Sequence, residues 1–598
     1  MAPIYTAPIS FHEGEQKMRE SLHVPDGEYP TSPGLSPHAR RLLHISSLLA
    51  IGTLDTNDRP WTTLLSGEPG FAKSLGESVI GVKTLVDRKF DPVIKLLLGD
   101  KFDGDIHEEK RDGRLVSALG IHLATRDRVK LSGNMVAGAL RHHGPIAQAD
   151  EDENGVAEVQ LVFAIQQSLG NCPKYLNQKQ ISPSLPEPLL LSDSLPLPER
   201  AIELIAKADM FFLSSSYNES NMGTNHRGGL PGFVRVAKND GSGTVLVYPE
   251  LSGNRLYQTL GNLYTTPRAG LIFPDFDTGD ALYLTTNTEI LLGKDAAAVL
   301  PRSNIAVKLH VYAARFVKNS LSFRGDHLER SPYNPPVRYL STEKALPAAQ
   351  TSNSKVIYAT LLARDRLTPT IARFRFGISD TKASALWTPG QYVALAFGDE
   401  LSMEYSHMRD DDPQSLNDDY VRTFTVSSSP GKLPEDELEI TIRNVGVVTN
   451  FLFRQNVRAG LEIPLKGFGG SFTIAQGLKD IVPFVAGGIG ITPLLAQLHD
   501  LDLARIQLFW SATVHDIGLV IDTIERCPAL GPSTRLFISR LSEQSPAASS
   551  LQIQNLEGYG VHVATKRMIA SDIEGHSNLS STWYLCTGTA LRKSLLAW

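Results

Sequence analysis

Residues 481–493 read IVPFVAGGIGITP, an apolar run followed by three closely spaced glycines and a Thr-Pro pair. The apolar run predicts a buried strand, and Thr492-Pro493 predicts the first turn of a helix. Glycines at such a turn let the backbone approach a phosphate closely, and a helix N-terminus favours an anion. The spacing is not the G-x-G-x-x-G of a standard dinucleotide-binding turn, so a plain strand–helix turn explains the stretch equally well.

Three motifs precede this stretch and one follows it. They are Pro389-Gly-Gln-Tyr392, Arg422-Thr423-Phe424-Thr425, Gly446-Val-Val-Thr449 and, near the end, Cys586-Thr-Gly588. An arginine, an aromatic ring and a hydroxyl on one strand can hold a diphosphate, flank a flavin and reach its N5 atom. Gly446 opens a predicted helix with free backbone N–H groups, although Thr449 as an ordinary helix cap accounts for the same residues.

In this order, the motifs resemble those of the ferredoxin–NADP reductase superfamily over residues 355–598. The resemblance implies a six-stranded antiparallel FAD-binding β-barrel followed by an α/β NAD(P)-binding domain with a parallel sheet. It assigns Arg422, Thr423, Phe424 and Thr425 to FAD, Gly446 and Thr449 to its diphosphate, and Gly487, Gly488, Gly490, Thr492 and Gly588 to the nicotinamide nucleotide. Thr425, beside the flavin, and Cys586, near the nicotinamide, are the candidate catalytic residues.

Two features near the C-terminus bear on the nucleotide. Ser539-Arg540 ends the predicted strand RLFISR, where superfamily members that prefer NADPH often place a Ser/Arg pair on the 2′-phosphate. A bidentate arginine suits a phosphate, so the pair favours NADPH over NADH, the alternative being a surface arginine at a strand end. Superfamily members usually continue to a last strand beside the flavin, whereas this sequence ends at Trp598, so an impaired reductase stays open as an alternative.

The pattern of strands, helices and linkers divides the chain into four predicted domains. They are 1–190 (a leader, residues 1–37, over a first split barrel), 191–335 (a second split barrel), 350–476 (the FAD-binding barrel) and 477–598 (the NAD(P)-binding domain). Pro- and Ser-rich stretches at 181–200 and 331–354 are predicted linkers. A helix, a strand, a turn and a strand begin both N-terminal domains, which indicates a duplication of a mostly β unit.

A polar stretch in the second of these domains, Asn225-His226-Arg227-Gly228-Gly229 and onward to Phe233, is predicted to form a turn between two strands. Histidine and arginine beside a Gly-Gly turn can present cationic donors and backbone amides to one phosphate. Asn254 and Asn262 flank the next predicted helix and offer further donors. A polar hairpin loop is the alternative interpretation.

This combination resembles the pyridoxamine 5′-phosphate oxidase-like FMN-binding split barrels over residues 200–320, and more weakly over 38–180. The resemblance implies two facing barrels with FMN in the cleft between them. It implies that the second barrel holds FMN through Asn225, His226, Arg227, Gly228, Asn254 and Asn262, with Lys174 or Tyr175 reaching across from the first. The catalytic residues of pyridoxamine oxidase itself are not matched, so oxidation of vitamin B6 is not supported.

The composition excludes several other classes. A net charge of −6 over 598 residues gives no support to a nucleic-acid binder. No apolar run approaches the roughly 18 residues of a membrane span, and the N-terminus has no signal-peptide core. The three cysteines, Cys172, Cys527 and Cys586, are too few and too far apart for a disulfide framework or a four-cysteine cluster. We therefore expect a cytoplasmic protein without a metal site.

The leading hypothesis is an oxidoreductase that passes electrons from NAD(P)H through FAD to FMN, or to another small-molecule or small-protein acceptor held by the split barrels. One alternative is that the barrels bind haem or a protein acceptor instead of FMN. Another is a flavin-nucleotide-binding or sensing protein with an impaired reductase module. A monomer or a homodimer is compatible with each.

Overall fold

The structure is a computed structural model in which the chain forms two compact units, one mainly from residues before 350 and one from residues after it. The residues that it describes are 10–22, 24, 29–99, 104–109, 113–142, 155–170, 174–218, 220–251, 253–331, 333–343, 357–380, 387–401, 420–429, 431–477, 480–540, 546–573 and 579–597. Antiparallel sheets and one parallel sheet make up these units. The predicted multidomain, mostly β class is thereby confirmed, whereas the split-barrel description of the N-terminal half stays a prediction.

The first large sheet is antiparallel and carries three helices. Its elements are α1 Glu13–Ser21, β1 Ser32–Pro33, α2 Pro37–Ile45, β2 Leu48–Leu54, β3 Pro60–Ser66, β4 Ala72–Ser74, β5 Val79–Asp87, α3 Pro92–Leu98, β6 His107–Glu108, β7 Arg114–His122, β8 Asp127–His142 and β9 Val156–Gly170. The strand order is β3-β2-β7-β8-β9-β5-β4, with β1 paired to β9 and β6 to β8. Ser36 caps α2 by accepting the N–H of Ala39 at 3.2 Å.

The second large sheet is also antiparallel. The elements of this part of the chain are β10 Lys179–Pro183, β11 Leu189–Ser192, α4 Glu199–Lys207, β12 Met210–Tyr217, β13 Asn221–Gly228, β14 Arg235–Asp240, β15 Gly243–Pro249, α5 Gln258–Thr265, β16 Arg268–Pro274, β17 Ala281–Leu292, α6 Lys294–Val299, β18 Ile305–Lys318 and β19 Phe323–His327. Strand β11 pairs with β18 of the large sheet, whereas β10 and β19 form a separate two-stranded sheet. The order β13-β12-β16-β17-β18-β15-β14 repeats that of the first sheet strand for strand. The predicted duplication of element order is therefore matched by the topology.

The two sheets meet through small and hydroxylated side chains. The Thr62 hydroxyl donates to the carbonyl oxygen of Gly270 at 2.7 Å and lies 2.8 Å from the Ser214 hydroxyl. A Cβ at Gly270 would lie 2.3 Å from the carbonyl oxygen of Pro60, so only glycine permits this approach. Satisfied hydroxyls and glycine thus let β3 of the first sheet pack closely on β12 and β16 of the second.

Three predictions about the N-terminal half are wrong in detail. The leader forms α1, which lies on α5 of the second sheet, because Gly14 and Gly261 let the two helix backbones approach. The predicted linker 181–200 contains β11 and the end of β10, which pair with β18 and β19. The predicted turn 225–233 begins inside β13, whose inward and outward residues alternate along the strand.

The C-terminal unit begins with a six-stranded antiparallel sheet. Its elements are β20 Ile357–Arg366, β21 Ile371–Ile378, β22 Tyr392–Ala396, α7 Gly398–Leu401, β23 Val421–Thr425, β24 Glu437–Arg443, α8 Val447–Arg454 and β25 Glu462–Gly469. The order is β23-β22-β25-β20-β21-β24. A bridge from Val426 to Ile440 joins the two ends of this order, so the sheet closes around a core rich in phenylalanine.

A parallel sheet of five strands follows within the described residues. Its elements are β26 Val482–Gly487, α9 Thr492–Leu495, β27 Ile506–Thr513, α10 Ile517–Arg526, β28 Thr534–Ser539, α11 Pro546–Gly558, β29 His562–Ala564, β30 Tyr584–Cys586 and α12 Thr589–Ala597. The order is β29-β28-β27-β26-β30, and each pairing is parallel. Its central strands are buried on both faces, which explains their continuous apolar runs.

A pair of buried carboxyl groups lies in the N-terminal unit. Asp91 accepts the N–H groups of Val93 and Ile94 and the Thr63 hydroxyl, and Asp87 accepts the Ser320 hydroxyl at 3.0 Å. Burial raises the pKa of Asp91 to about 7 and, with nearby Asp87, keeps this carboxyl protonated in mild acid.

We predict that Asp91→Asn flattens the pH dependence of stability. Because the folded pKa lies above the unfolded value, the protonated group stabilises the fold below about pH 4, and this contribution is lost as the pH rises towards 7. The slope is about 1.4 kcal/mol per pH unit for one such group. Thermal unfolding between pH 5 and pH 8 measures it, with exposed Asp58→Asn as the control. An unchanged slope in Asp91→Asn would contradict the assignment.

Candidate functional site

A cleft of about 780 Å³, open to solvent, lies where β8 of the first sheet meets β13 and α5 of the second. We call it the basic cleft. The polar and charged residues that line it include Arg128, Lys130, Lys174, Tyr175, Asn225, His226, Arg227, Glu250, Asn254, Arg255 and Gln258. Both halves of the duplicated unit therefore supply its walls.

Arg128 and His226 meet at the floor of the cleft. Both are almost fully buried, and the guanidinium of Arg128 lies within hydrogen-bonding distance of the imidazole nitrogens of His226. Burial, followed by the charges of Arg128 and Arg227, holds the pKa of His226 well below its usual value. His226 is consequently a neutral acceptor for Arg128 at physiological pH and not a second cation.

Lys130 follows Arg128 by two residues and points to the same side of β8. Its ammonium group donates to Gln258 Oε1 at 2.5 Å, and only 8% of the residue is exposed. Burial lowers the pKa of Lys130 to about 7, with a further lowering by Arg227 and Arg128 and an opposing effect of Glu15. An anion placed in the cleft would reverse this shift.

Arg227 has a buried carboxylate, that of Glu250, beside it. Its Nε donates to Glu250 Oε2 at 2.7 Å, and its Nη1 donates to the carbonyl oxygen of His226 at 3.0 Å. Burial raises the pKa of Glu250, and the contact with Arg227 opposes that rise. Glu250 therefore offsets the positive charge of Arg227 in the wall of the cleft.

The cleft brings together most of the N-terminal residues that the sequence singles out. Asn225, His226, Arg227, Gly228 and Asn254 line it, and so do Lys174 and Tyr175. A Cβ at Gly228 would lie 2.1 Å from the carbonyl oxygen of Tyr175, so this glycine is needed for packing. Asn171, Cys172 and Pro173, which belong to the predicted 170–175 segment, lie outside the described residues.

The prediction for Asn262 is wrong in its placement. Its amide donates to the carbonyl and hydroxyl oxygens of Ser215 at 3.2 and 3.1 Å, and its Oδ1 lies 3.0 Å from His12 Nε2. It lines a neighbouring cavity and not the basic cleft. Sequence reasoning missed Arg128 and Lys130, whose two-residue spacing on a predicted strand was the available signal.

In the C-terminal unit, the Arg422–Thr425 motif lies on β23, directly beside the Pro389–Tyr392 motif on β22. Thr425 is opposite Tyr392, and Phe424 is opposite buried Val393. Strand alternation places Arg422 and Phe424 on one face and Thr423 and Thr425 on the other. Phe424 packs on the barrel core, edge-on to Phe397 with 6.5 Å between ring centres, and remains half-buried.

Gly446 begins α8, as the sequence predicts, and is the N-cap residue in place of Thr449. The Thr449 hydroxyl accepts the N–H groups of Val445 and Gly446, each at 2.9 Å. The turn is therefore held rigid, and a Cβ at Gly446 would meet open space. Val445 is 77% exposed, which leaves an apolar rim beside the first turn of the helix.

The glycine stretch lies at the carboxyl end of β26. Gly487 ends the strand, and Gly488 has a φ of +52°, a conformation that favours glycine. A Cβ at Gly490 would lie 1.8 Å from the carbonyl oxygen of Cys586, so this turn and β30 touch through their backbones. Thr492 begins a helix, as the sequence predicts, and this helix is four residues long.

Cys586 and its neighbours complete this edge of the parallel sheet. Cys586 is half-buried beside Gly490, and burial raises the pKa of its thiol. Gly588 is exposed. Ser539, which ends β28, donates to the carbonyl oxygen of Ala512 at 3.4 Å, and exposed Arg540 follows it with a φ of +62°. Trp598 lies outside the described residues.

An ion pair close to Gly488 joins the end of β24 to the residues just before α10. Arg443 Nη2 donates to Asp516 Oδ2 at 2.7 Å, and the Thr513 hydroxyl donates to the same oxygen at 3.0 Å. A Cβ at Gly488 would lie 3.1 Å from Arg443 Nη2. The barrel and the parallel sheet therefore share a contact directly beneath the two predicted phosphate-binding turns.

Two classes of feature are absent from the part of the chain that the structure describes. It shows no group of three or more His, Cys, Asp or Glu residues arranged to hold a metal ion. Among these same residues, no helix combines the length and the apolar character needed to cross a membrane.

We predict that Gly490→Ala destabilises the parallel sheet. The added methyl group would overlap the Cys586 backbone, and over-packing of this kind costs roughly 1–3 kcal/mol. Urea-induced unfolding measures the loss. Gly558→Ala is the matched control, because a Cβ at Gly558 would meet nothing within 4 Å. Equal stability of the two variants would show that β30 does not touch the glycine turn.

Comparison with known proteins finds no protein-family model that matches the chain. Flavohemoprotein B of Dictyostelium discoideum is 27% identical over 143 residues, 22% of this chain and 31% of that protein. A flavohemoprotein of Halalkalibacterium halodurans is 30% identical over 143 residues, covering 23% and 31%. The glycine betaine monooxygenase reductase subunit of Pseudomonas aeruginosa is 34% identical over 122 residues, covering 20% and 28%.

The matches span about a third of the length of these relatives. They support the resemblance to the ferredoxin–NADP reductase superfamily, and the split-barrel resemblance stays a prediction. Among solved structures, a flavohemoglobin from Malassezia yamatoensis with bound FAD and heme aligns at 19% identity and a TM-score of 0.29. The alignment covers 41% of this chain and 56% of that one.

Proposed function

We propose that this chain is an NAD(P)H-dependent flavoprotein oxidoreductase. Electrons pass from NAD(P)H to FAD in the C-terminal unit and then to FMN, or to another acceptor, in the basic cleft. The observation that carries the reductase half is the order of its motifs, together with the sequence similarity to flavohemoproteins and to a monooxygenase reductase subunit. The transfer of electrons to FMN or another acceptor is supported by the cationic side chains that line the basic cleft.

The residues around β22, β23 and α8 suit FAD. Arg422 would hold its diphosphate, Thr425 and Tyr392 on their shared face would border the isoalloxazine ring, and Phe424 would support that face from the core. The turn at Gly446 supports this assignment, because its open Cβ position and the first N–H groups of α8 leave room and donors for a phosphate.

The nicotinamide nucleotide is assigned to the turn Gly487–Thr492 and to the Cys586–Gly588 segment. The Arg443–Asp516 contact would hold this turn against the barrel, so that the reacting rings of the two cofactors keep a fixed approach. Ser539 and Arg540 would receive the 2′-phosphate of NADPH. FAD, when bound, supplies the chemistry that converts a two-electron hydride into single electrons.

FMN is assigned to the basic cleft because its donor set fits a phosphate monoester. Arg128, Lys130 and Arg227 bring three cationic side chains to the lining of the cleft, and Glu250 forms an ion pair with Arg227. Buried cations without anions are costly, so a bound dianion would stabilise this arrangement. Asn225 and Asn254 add uncharged donors for the rest of the ligand.

The four domains 1–190, 191–335, 350–476 and 477–598 remain our proposal for the organisation of the chain. The separate sheets of the N-terminal half, the barrel and the parallel sheet support it. The two N-terminal domains are joined by strand pairing as well as by the chain between them. Strand β10 lies before residue 190 and pairs with β19, and β11 spans residue 190 and pairs with β18.

We predict that anaerobic NADPH bleaches the flavin absorbance of the purified protein in a single turnover, faster than NADH does, because Ser539 and Arg540 would bind the 2′-phosphate. Flavin released by heat should contain FMN and FAD in about equal amounts, one site for each cofactor. Release of FAD without FMN would be consistent with the proposed reductase activity and would contradict the proposed binding of FMN. Bound flavin without bleaching by either nucleotide would contradict the reductase activity.

Arg422→Ala should lose FAD while the cleft retains its own ligand. Arg458→Ala, which removes an exposed arginine from the same barrel, is the matched control. If Arg422→Ala retained its full FAD content, the assignment of Arg422 to the FAD site would be contradicted.

We predict that Arg128→Met and Lys130→Met each weaken FMN binding by about tenfold to a hundredfold, since each removes a hydrogen bond to a charged group. Methionine keeps the length of the side chain and removes its charge. Equilibrium titration of flavin-free protein with FMN measures the effect, and exposed Lys73→Met is the control. FMN affinity equal to that of the unmodified protein in both cleft variants would overturn the assignment.

A further inference from the structure

A second cavity, of about 440 Å³, adjoins the basic cleft. Its walls include His12, Glu15 and Tyr29 from the N-terminal segment, together with Lys130, Gln258 and Asn262. Lys130 and Gln258 line both spaces, so the two cavities share a wall. The N-terminal segment therefore comes close to the cation that the cleft uses, although it lies more than a hundred residues earlier in the sequence.

Helix α1 and the preceding His12 pack closely on α5. A Cβ at Gly14 would lie 2.1 Å from the carbonyl oxygen of Gly261, so α1 and α5 touch through their backbones. Glu15 is only 1% exposed. His12 adds a second attachment, because its Nδ1 accepts the Gly14 N–H at 3.1 Å and its Nε2 is left to donate to Asn262 Oδ1 at 3.0 Å.

A chain of hydrogen bonds runs from Lys130 to Glu15, and in each bond the donor is the group nearer to Lys130. Lys130 Nζ donates to Gln258 Oε1 at 2.5 Å, and Gln258 Nε2 donates to the Tyr29 hydroxyl at 2.6 Å. Tyr29 then donates to Glu15 Oε1 at 3.0 Å. Gln258 and Tyr29 each accept one hydrogen bond and donate the next, so a positive charge at Lys130 and a negative charge at Glu15 reinforce every bond between them.

We propose that Tyr29 and Glu15 are positioning residues of the basic cleft, which orient Lys130 through Gln258 and keep it charged for a phosphate ligand. This inference rests on the proposed binding of a phosphorylated flavin in the cleft. It makes the N-terminal segment part of the ligand site, without any contact between that segment and the ligand.

The charges that face Lys130 come from three elements. Arg128 on its own strand and Arg227 on β13 disfavour the ammonium form, whereas Glu15 on α1 favours it. His226 on β13 is neutral, and α5 contributes the uncharged Gln258 and Asn262. Glu15 is thus the one carboxylate among the described residues that supports the charge of Lys130, and its loss should lower the pKa of Lys130 below about 7.

We predict that Glu15→Gln and Tyr29→Phe weaken the binding of FMN and of inorganic pyrophosphate, and that the loss is larger above pH 7 than near pH 6. As the pH falls, Lys130 becomes protonated in every variant, so the affinities converge. Above pH 7 each unit by which the pKa of Lys130 falls weakens binding by up to about tenfold. Calorimetric titrations from pH 6 to pH 9 measure the affinity of each variant relative to that of the unmodified protein. The ionisation of the phosphate affects both affinities equally, so it cancels in this comparison.

Glu20→Gln and Tyr264→Phe are matched controls, because both residues are exposed on α1 and α5 and neither belongs to the chain. FAD content and thermal unfolding verify that every variant is folded, and Tyr29→Phe, which removes one oxygen, remains informative if Glu15→Gln does not fold. A loss of affinity that is the same at all pH values, or no loss, would overturn the inference and leave the proposed function standing. Failure of the unmodified protein to bind either ligand would overturn both.

Discussion

The close packing of two antiparallel sheets against each other is the constraint on which the N-terminal half depends. Gly52 and Gly270 let backbones and hydroxyls of opposite sheets approach, because a Cβ at Gly52 would lie 2.0 Å from Ser214 Oγ. Buried hydroxyls such as those of Ser117 and Thr224, 2.7 Å apart, satisfy one another across the interface. This packing brings β8 of one sheet against β13 of the other, and the basic cleft exists only because these strands meet.

The cleft carries more positive charge than its own carboxylate offsets. Arg128 and Lys130 are almost fully buried, and the low dielectric of such a site makes their mutual repulsion costly. Burial, followed by the charges of Arg227 and Arg128, lowers the pKa of Lys130 to about 7. A phosphate would relieve the repulsion, and Glu15, acting through Tyr29 and Gln258, relieves part of it beforehand.

In the C-terminal unit the decisive contacts are between backbones. Gly490 touches the carbonyl oxygen of Cys586, and Gly488 lies above the Arg443–Asp516 ion pair. These contacts leave the turn little freedom to move, which suits a surface that holds one reacting ring against another. The closed barrel holds β22 and β23 beside each other, so that Thr425 and Tyr392 share a face.

The sequence by itself determined the type of most strands and helices, the order of the reductase motifs and the duplication of the N-terminal half. These features depend on local periodicity and on residues close in sequence, such as Ser36 with Ala39 at the start of α2. Only the tertiary structure decided that Asn225 to Gly228 form a strand, that Asn262 leaves the cleft, and that Arg128 and Lys130 enter it. Arg128 meets His226 across 98 positions of sequence, and no local pattern encodes a contact that long-range sheet packing creates.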